Sequence, residues 1–511
     1  MHITILTGDG SRCRAVQPGQ TLLEALQGTK GLSAPCGGQG TCGKCTVYLA
    51  EAEGETAVLA CQTRVRDGMT VRVPTQAPLA VALESTAQGG FRPDPGLAGY
   101  GIACAIGTTP VVCQLVELST GKPLAELGQG NAQRSCGGDV ISRIRAAMDG
   151  RLSALTVAIR GQLAEMIQSL CGTAGIPAAE ITRMSVAANT TMCHLLDGLD
   201  PSGLGAAPFT PVSRFGDCRP AGALGLPFDG EAYLAPAVSG YVGGDITADL
   251  LAVGADRAEA PVLLIDVGTN GEMALGYGDR FVCCSTAAGP AFEGAQLTCG
   301  MTAAPGAISA VEWVDGRLSC TVIGGGEAVG LCGSGLLDAA AVMLDLGAVD
   351  ETGRMLDVEE DDIPAEAAPY LFLTEDDEPA FRLSARVYVT QGDVRKLQLG
   401  KGAIAAGVQV LIREYGIGEG GICRLLLAGG FGSCLRPESA ARIGLIPQSL
   451  LGAAEAVGNA AVEGARMALC SNEAQERLLA LRDQMDYREL SGMAAFNAAY
   501  MDAMMFPESE E

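Results

Sequence analysis

The arrangement of four cysteines near the start of the chain constrains its fold more than any other feature. Cys36, Cys42, Cys45 and Cys61 have the spacing C-x5-C-x2-C-x15-C, and four glycines are interleaved among the first three of them. Thiolates are the ligands of [2Fe–2S] clusters, and plant-type spacing takes three from one loop and the fourth from farther along the chain. Glycine lets a backbone bend closely around such a cluster and aim amide groups at its sulfides. The sequence therefore predicts that these four cysteines hold a [2Fe–2S] cluster.

A four-cysteine zinc site is the main alternative for this array. Zinc knuckles use two paired C-x2-C arms, whereas Cys42 and Cys45 form the one such pair here. Free reduced thiols would not need the glycine spacing. The chain has 19 cysteines, so 15 lie outside the array. These are scattered, and such cysteines are usually small buried apolar residues, so no site is predicted from them.

Charge and composition exclude several classes of function. The formal net charge is −25, which argues against nucleic acid and anionic membranes as partners because both would repel the chain. The two histidines, His2 and His194, are too few for a multi-histidine metal centre. Residues 1–20 contain no apolar signal-peptide core, and no stretch approaches the ~20 apolar residues that a bilayer requires. These features predict a cytoplasmic protein with reduced thiols and no membrane or nucleic-acid partner.

The length of the chain, 511 residues, predicts two or three domains. We expect a compact cluster-binding domain at 1–75. A proline- and glycine-containing linker is expected at 76–98. The remainder, 99–511, is expected to form a nucleotide-binding domain with halves at about 99–260 and 261–511.

Local patterns predict several individual elements. The sequence Gly8-Asp9-Gly10 indicates a hairpin turn between two short strands, and residues 21–26 indicate a short helix. Apolar residues at helical spacing predict one amphipathic helix over 155–170, ended by Gly172, and another over 401–415.

Two glycine-containing turns follow apolar strands in the larger region. One follows residues 101–106, and the other follows residues 262–267, where Asp266 lies near the end of the strand. A carboxylate in that position can hold Mg²⁺ directly or through water, while the amides and hydroxyls of a glycine turn contact phosphate oxygens. Repetition of the turn predicts a duplicated architecture, and Asp266 is predicted to be catalytic. The predicted nucleotide-contacting residues of the two turns are Gly107, Thr108, Thr109, Gly268, Thr269, Asn270 and Gly271.

Two further glycine-containing elements complete the predicted nucleotide site. One opens a helix, which supplies an N-terminus suited to anions, and the other ends a buried strand, where a base or ribose can approach the backbone. Each turn taken singly is more often a packing turn, but four in this order favour nucleotide binding. No G-x-x-x-x-G-K-S/T loop is present, so this is not a Walker NTPase. The residues of these two elements are Gly333, Ser334, Gly335, Gly429, Gly430, Phe431 and Gly432.

These motifs resemble those of known families. The segment 18–63 resembles [2Fe–2S] ferredoxin domains, which implies an α+β, ferredoxin-like β-grasp fold for the N-terminal domain. The four nucleotide elements resemble those of the actin-like (ASKHA) superfamily, which implies an α/β domain with two lobes that close on ATP. Segments 189–192, 288–294 and 401–404 make 99–511 similar, more specifically, to the domain of reductive activators of corrinoid proteins. Together the resemblances cover nearly the whole chain.

The resemblance implies an activity, cofactors and partners. The cofactors are a [2Fe–2S] cluster, ATP and Mg²⁺. The activity is the ATP-dependent passage of an electron from the cluster to the Co(II) form of a corrinoid protein, which yields Co(I) for methyl transfer. The implied partners are that corrinoid protein and an upstream electron donor, and a homodimer is an open alternative to a monomer.

Two departures from the family pattern leave alternatives open. The first turn of the family usually follows an aspartate where this chain has Ala105, which calls turnover of ATP into question. Better-known members also carry an extra domain after the ferredoxin domain, for which residues 74–97 are too few. The alternatives are an ATP-gated electron donor to another low-potential redox enzyme, and a non-catalytic module that senses nucleotide and redox state.

Overall fold

The structure is a computed structural model. It describes residues 1–8, 10–26, 29, 32, 34, 38–40, 43–51, 54–74, 90–360, 362–429 and 435–508. In these ranges no helix is both long and apolar enough to cross a membrane. Residues 76–89, which make up most of the predicted linker, lie outside them.

The N-terminal region folds into a five-stranded mixed sheet with the order β2-β1-β5-β3-β4. The central strands β1 and β5 are parallel, and Ile3 and Ile5 pack with Leu22 and Leu26 in one apolar cluster. The helix begins at Thr21, whose hydroxyl and backbone amide form a capping box with Glu24. This arrangement is a β-grasp fold, as predicted. Its elements are β1 (His2–Thr7), β2 (Gly10–Ala15), α1 (Leu22–Ala25), β3 (Thr46–Glu51), β4 (Gly54–Leu59) and β5 (Thr70–Arg72).

The next region contains a six-stranded sheet with the order β10-β11-β9-β6-β7-β8. Its strands are β6 (Tyr100–Ile106), β7 (Pro110–Glu117), β8 (Lys122–Gly130), β9 (Ile181–Ala188), β10 (Asp217–Pro220) and β11 (Glu231–Leu234). Its helices are α2 (Val140–Ala146), α3 (Leu152–Ala174), α4 (Thr190–Asp197) and α5 (Gly244–Val253).

The C-terminal region contains a second six-stranded sheet with the order β22-β21-β12-β13-β14-β23, together with two three-stranded sheets. Its strands are β12 (Val262–Val267), β13 (Gly271–Tyr277), β14 (Arg280–Thr286), β15 (Ala307–Val314), β16 (Arg317–Val322), β17 (Gly330–Leu331), β18 (Leu371–Leu373), β19 (Pro379–Arg382), β20 (Tyr388–Thr390), β21 (Arg424–Ala428), β22 (Ala454–Gly458) and β23 (Met485–Tyr487). Its helices are α6 (Gly333–Asp345), α7 (Gln391–Tyr415), α8 (Pro437–Arg442), α9 (Ala460–Cys470), α10 (Asn472–Gln484) and α11 (Ala494–Ala503).

The two six-stranded sheets repeat one layout. In the first, the antiparallel hairpin β6-β7 is flanked by β8 on one side and by the parallel strands β9 and β11 on the other. In the second, the hairpin β12-β13 is flanked in the same way by β14 and by β21 and β22. The predicted duplication is therefore confirmed, and each predicted turn lies in the equivalent hairpin.

The two halves exchange helices. Helix α5 follows β11 but shares an apolar cluster with β12 and β21, through Leu250 and Leu264 among others. Helix α9 follows β22 but packs on the first sheet, through Val462 and Val116 among others. The two helices touch at Gly464, where a Cβ atom would lie 2.1 Å from the carbonyl oxygen of Ala248. The predicted boundary at 260 stays a prediction, since α9 lies after it in sequence but packs with the first half.

The two predicted amphipathic helices are present, with different ends. The apolar face predicted over 155–170 is buried in α3, but Gly172 does not end that helix. The helix continues to Ala174, and Gly175 ends it with a φ of 69°. Helix α7 begins ten residues before the predicted start at 401, because Thr390 caps it and exchanges hydrogen bonds with Asp393.

Candidate functional site

Two of the four predicted cluster ligands are among the described residues. Cys45 lies at the end of the cysteine loop, residues 34–45, and Cys61 follows β4. The Sγ atoms of Cys45 and Cys61 are 3.3 Å apart. This distance exceeds the ~2.0 Å of a disulfide bond, so two thiols converge without being joined. Cys36 and Cys42 lie outside the described residues. The two described thiols fit a shared iron–sulfur cluster in position and chemistry.

Glycines shape the loop, as predicted. The φ angles of Gly38, Gly40 and Gly43 are 92°, 79° and 65°, which side chains other than glycine rarely adopt. A Cβ on Gly40 would lie 2.2 Å from the side chain of Gln62, next to Cys61. A larger residue would therefore disturb the surroundings of the thiols.

The same loop contacts both halves of the larger region. The Ala34 amide donates to the carbonyl oxygen of Arg134 over 3.4 Å, in the first half. The Lys44 ammonium lies 3.5 Å from the carbonyl oxygen of Gly300, in the second half. Residues 302 and 303 line the cavity described next. The cysteine loop therefore lies close to a segment that reaches the candidate nucleotide site.

A cavity of about 180 Å³ lies between the two halves, where β6 and β12 end in their glycine-containing turns. It brings together most of the predicted nucleotide residues, and apolar residues such as Phe292 complete its wall. The predicted residues that line it are Gly107, Thr108, Thr109, Asp266, Gly268, Thr269, Asn270, Gly333, Ser334 and Gly429.

Five predicted residues are not among those that line the cavity. Gly271 packs in the second half, where a Cβ would lie 2.7 Å from the side chain of Ile404. Gly335 packs inside α6, where a Cβ would lie 2.4 Å from the carbonyl oxygen of Ile308. The last three lie outside the described residues, namely Gly430, Phe431 and Gly432.

Strand pairing explains why Gly429 lies beside Asp266. Strands β12 and β21 are parallel, and Asp266 pairs with Ala428, the residue before Gly429. Gly429 has a φ of 89°, and a Cβ there would lie 2.2 Å from Oδ1 of Asp266. Glycine thus meets both a backbone requirement and a requirement for space next to the carboxylate.

One hydrogen bond joins the two halves across the cavity. The hydroxyl of Thr109, in the first turn, donates to Oε2 of Glu293 over 2.6 Å. Glu293 ends a short helical turn that begins at Pro290, in the second half. In the first turn, the side-chain amide of Asn189 also donates to the hydroxyl of Thr108 over 3.2 Å. Both threonine hydroxyls are therefore held where a phosphate group could meet them.

Sequence reasoning missed the other carboxylates that surround Asp266. Asp245 and Asp249 come from α5, Glu272 from β13, and Glu293 from the short helical turn. Signals for three of them were present: Asp245 and Asp249 are four residues apart on an otherwise apolar helix, and Glu272 interrupts an apolar strand. The five carboxylates line a cavity that no lysine or arginine of the described residues lines.

Crowding and burial raise the pKa values of these carboxyls. Burial, with the nearby charge of Asp266, raises the pKa of Asp245 to about 7. Burial raises the pKa of Asp266 to about 6, with the neighbouring carboxyl of Asp249 opposing the shift and the charge of Glu293 assisting it. Burial first, and neighbouring carboxylates second, raise the pKa values of Asp249 and Glu272 well above the ordinary range. Such a group favours the binding of either protons or a cation.

Unpartnered oxygen atoms show where a cation fits. Among the described residues, neither carboxylate oxygen of Asp249 receives a hydrogen bond from a donor group, and the hydroxyl of Thr269 has no partner. In the same ranges, no three acidic, thiol or imidazole groups converge tightly enough to hold an ion by themselves. Mg²⁺ usually takes one or two carboxylates and completes its shell with water and phosphate oxygens. The cavity therefore suits a cation that arrives with a phosphate ligand.

Family models match almost the whole chain. A 2Fe-2S iron-sulfur cluster binding domain matches residues 6–66. The RACo middle region matches residues 100–258, and the C-terminal domain of RACo, the ASKHA domain, matches residues 260–511. The N-terminal region is thus a 2Fe-2S cluster binding domain, and the C-terminal region has the actin-like fold.

Two curated relatives and one solved structure resemble the chain over much of its length. The corrinoid activation enzyme RamQ of Eubacterium limosum is 31% identical over an alignment of 569 positions, and the match covers 94% of this chain and 94% of that relative. The Co(II) methylated amine-specific corrinoid protein reductase of Methanosarcina barkeri is 28% identical over 392 residues, 68% of this chain and 66% of its own. The solved structure of a reductive activator for corrinoid, iron-sulfur protein is 28% identical, with a TM-score of 0.72 and coverage of 99% of both chains. The chain therefore belongs to the family of reductive activators of corrinoid proteins.

Proposed function

We propose that this protein uses ATP to reduce the Co(II) form of a corrinoid protein to Co(I), with an electron delivered through its [2Fe–2S] domain. The observation that carries the proposal is the cavity between the halves. It combines two glycine-containing turns with five buried or partly buried carboxylates, of which Asp249 has no hydrogen-bond donor, and it lies in a chain that also has converging cluster thiols.

The cysteine loop is the proposed site of the electron carrier. Cys36, Cys42, Cys45 and Cys61 would hold the [2Fe–2S] cluster, which when bound supplies single electrons near ~−400 mV in plant-type proteins. Cys45 is buried, which shields its thiol from water. An upstream electron donor recharges the domain between turnovers.

The two turns and the helix N-terminus are the proposed phosphate site. Thr108 of the first turn and Gly333 and Ser334 of α6 line the cavity, and the Thr108 hydroxyl and the N-terminal amides of α6 would bind phosphate oxygens. Asp266 is the proposed catalytic carboxylate, and with Asp249 it would hold Mg²⁺ directly or through water. Bound Mg²⁺ would neutralise charge on the phosphates and on the crowded carboxylates. Gly429 leaves the backbone open next to Asp266 for the nucleotide.

A nucleotide can supply the energy that an uphill electron transfer requires. Each 100 mV of shortfall costs about 2.3 kcal/mol for one electron. A ligand at about 1,000 times its dissociation constant stabilises the state it prefers by about 4.1 kcal/mol. Closure of the two halves on ATP can therefore offset a gap of roughly 150–200 mV, if the closed state also binds the corrinoid protein.

The domain organisation that we propose follows the sequence prediction. A cluster domain at 1–75 and a linker at 76–98 precede the actin-like domain at 99–511. We place the electron transfer in the cytoplasm, where thiols stay reduced.

Anaerobic reduction of a corrinoid protein tests the proposal. Chemically reduced protein, Mg-ATP and the Co(II) form of a co-encoded corrinoid protein are mixed, and the Co(I) absorption spectrum is followed. We expect Co(I) with ATP and none without it, and none with a Cys61→Ser variant at any ATP concentration. Co(I) formed equally well without nucleotide would contradict the role of ATP, and no Co(I) with any co-encoded partner would contradict the function.

A further inference from the structure

One arginine of α2 is buried directly behind the first turn. The side chain of Arg143 is 0% exposed, and Nη2 donates to the carbonyl oxygen of Thr108 over 2.6 Å. Its other acceptors are the carbonyl oxygen of Gly137, the side-chain oxygen of Gln133 and the sulfur of Met192. None of these four acceptors is a carboxylate, and the charges of Glu293, Asp139 and Arg134 act on the guanidinium without being paired to it by a hydrogen bond.

A buried charge without a paired carboxylate requires an explanation. Burying an ion among neutral groups costs several kcal/mol even after relaxation. Burial lowers the pKa of Arg143 to about 9, so the guanidinium keeps its charge at neutral pH. A neutral side chain could hold the backbone equally well, since Asn131 donates to the adjacent carbonyl oxygen of Gly107 over 2.9 Å. The hydrogen bond to the turn therefore does not by itself account for an arginine here.

The two side chains orient the turn. In a trans peptide the carbonyl and the following amide point in opposite directions. Because Arg143 binds the carbonyl of Thr108, the amide of Thr109 points away from α2. Because Asn131 binds the carbonyl of Gly107, the amide of Thr108 points away from Asn131. Among the described residues, neither amide donates a hydrogen bond to the protein, so both are free for an anion.

The electrostatics of the cavity favour a role for the charge itself. The cavity is lined by five carboxylates and by no lysine or arginine of the described residues. A phosphate group entering it would meet like charges, which a cation on Asp266 would offset in the second half. The first turn has no such cation ligand, because Ala105 and Val112 occupy the corresponding strand positions. Arg143 places one positive charge behind this turn. The peptide group between Thr108 and Thr109 separates that charge from the cavity.

We propose that Arg143 is a positioning residue for nucleotide phosphate: it turns the Thr109 amide toward the cavity and supplies a positive field directly behind the first turn. This inference rests on nucleotide binding in the cavity, as proposed above. Arg143 would favour the phosphate groups of the nucleotide, and not its base or ribose.

Comparison of ATP with adenosine tests the inference. Affinities of both ligands for full-length Arg143→Gln, Arg143→Lys and wild-type protein are measured by isothermal titration calorimetry with Mg²⁺, and folding is checked by thermal unfolding. We expect Arg143→Gln to weaken ATP by about 10- to 100-fold and adenosine by less than about twofold. Arg143→Lys keeps the charge, so ATP should weaken by less than about fivefold. The matched control is Arg160→Gln, because Arg160 donates to the carbonyl oxygen of Leu196 elsewhere in the same half; we expect it to leave both affinities unchanged.

Each outcome decides between a phosphate role and a purely structural one. Equal losses of ATP and adenosine affinity, or no loss of either, would overturn the inference. If Arg143→Gln does not fold, Arg143→Lys carries the test alone: a loss of tenfold or more for ATP, or an equal loss for adenosine, overturns the role of the charge. Wild-type protein that binds no ATP overturns the nucleotide site and this inference together, whereas wild-type binding with unchanged variants overturns the inference alone.

Discussion

The two halves around the cavity have the same backbone layout but differ in charge. Their hairpins have the same register, and the helices that cover them begin at equivalent points, so side chains can be compared position by position. In the first half the four positions belong to one apolar cluster, and in the second half all four are carboxylates. The matching pairs are Ala105 with Asp266, Val112 with Glu272, Ala461 with Asp245, and Ala465 with Asp249.

The duplicated fold therefore has different chemical groups in its two halves. The second half has collected the groups that attract a cation. The first half has free amides, two hydroxyls and a buried arginine, which attract an anion. The absence of an aspartate at Ala105 is therefore consistent with a division of labour between the halves.

Removing the charge of Asp266 should have the largest effect. We expect Asp266→Asn to lower Mg²⁺-dependent Co(I) formation by roughly 100-fold or more, because the central cation ligand is lost. Thermal stability should stay equal or rise, since one of several crowded carboxylates is gone. The matched control is Asp486→Asn, on the exposed edge strand of the same sheet. Retention of most of the activity by Asp266→Asn would contradict the cation role of the second half.

Adding a carboxylate to the first half should weaken ATP and not improve turnover. Ala105→Asp places a negative charge beside the turn that binds phosphate, and we expect about tenfold weaker ATP binding by calorimetry, with no gain in ATP hydrolysis. Ala105→Asn is the control of similar size without the charge. Faster hydrolysis by Ala105→Asp would instead mean that both halves bind the cation and that this chain lacks one ligand.

Gly429→Ala should separate backbone strain from contact with Asp266. The added Cβ meets Oδ1 of Asp266, so we expect weaker Mg-ATP binding by about tenfold, together with a loss of stability of roughly 1–2 kcal/mol from the positive φ. Gly416 has a similar φ of 85° and nothing within 4 Å of a Cβ position. Gly416→Ala should therefore show the stability loss alone. Equal effects on Mg-ATP binding in the two variants would contradict the importance of space beside Asp266.

The carboxylates of the second half should make stability depend on pH. Their folded-state pKa values are raised, to about 6 for Asp266 and about 7 for Asp245, so the folded protein binds protons more tightly than the unfolded chain. That contribution is complete below about pH 4 and is lost as the pH rises through 6 to 7. Without cation, the melting temperature should fall between pH 5 and pH 8 by roughly 2–4 °C more in wild type than in Asp245→Asn. An identical pH dependence in the two proteins would contradict the raised pKa of Asp245.

The sequence was sufficient for the features that depend on local pattern. The cysteine spacing, the two turns and Asp266 can each be recognised in short stretches of sequence, and the predicted nucleotide residues that the structure describes line one cavity, apart from Gly271 and Gly335. Asp249 was missed because α5 crosses to the opposite sheet, and its spacing from Asp245 does not show that this crossing brings it to the cavity. Gly335 has a glycine pattern like that of Gly333, but it faces the backbone of Ile308, and only the packing of α6 against β15 distinguishes the two.

The location of a bound divalent ion would test the division between the halves most directly. Crystals grown with Mn²⁺ and a non-hydrolysable ATP analogue would give an anomalous difference peak at the metal. We expect one peak in the second half. The metal should contact Asp266 directly, or through water bound to Asp266 and Asp249, with phosphate oxygens completing its shell. A peak beside the turn that follows Ala105, or a nucleotide bound with no metal near Asp266, would contradict it.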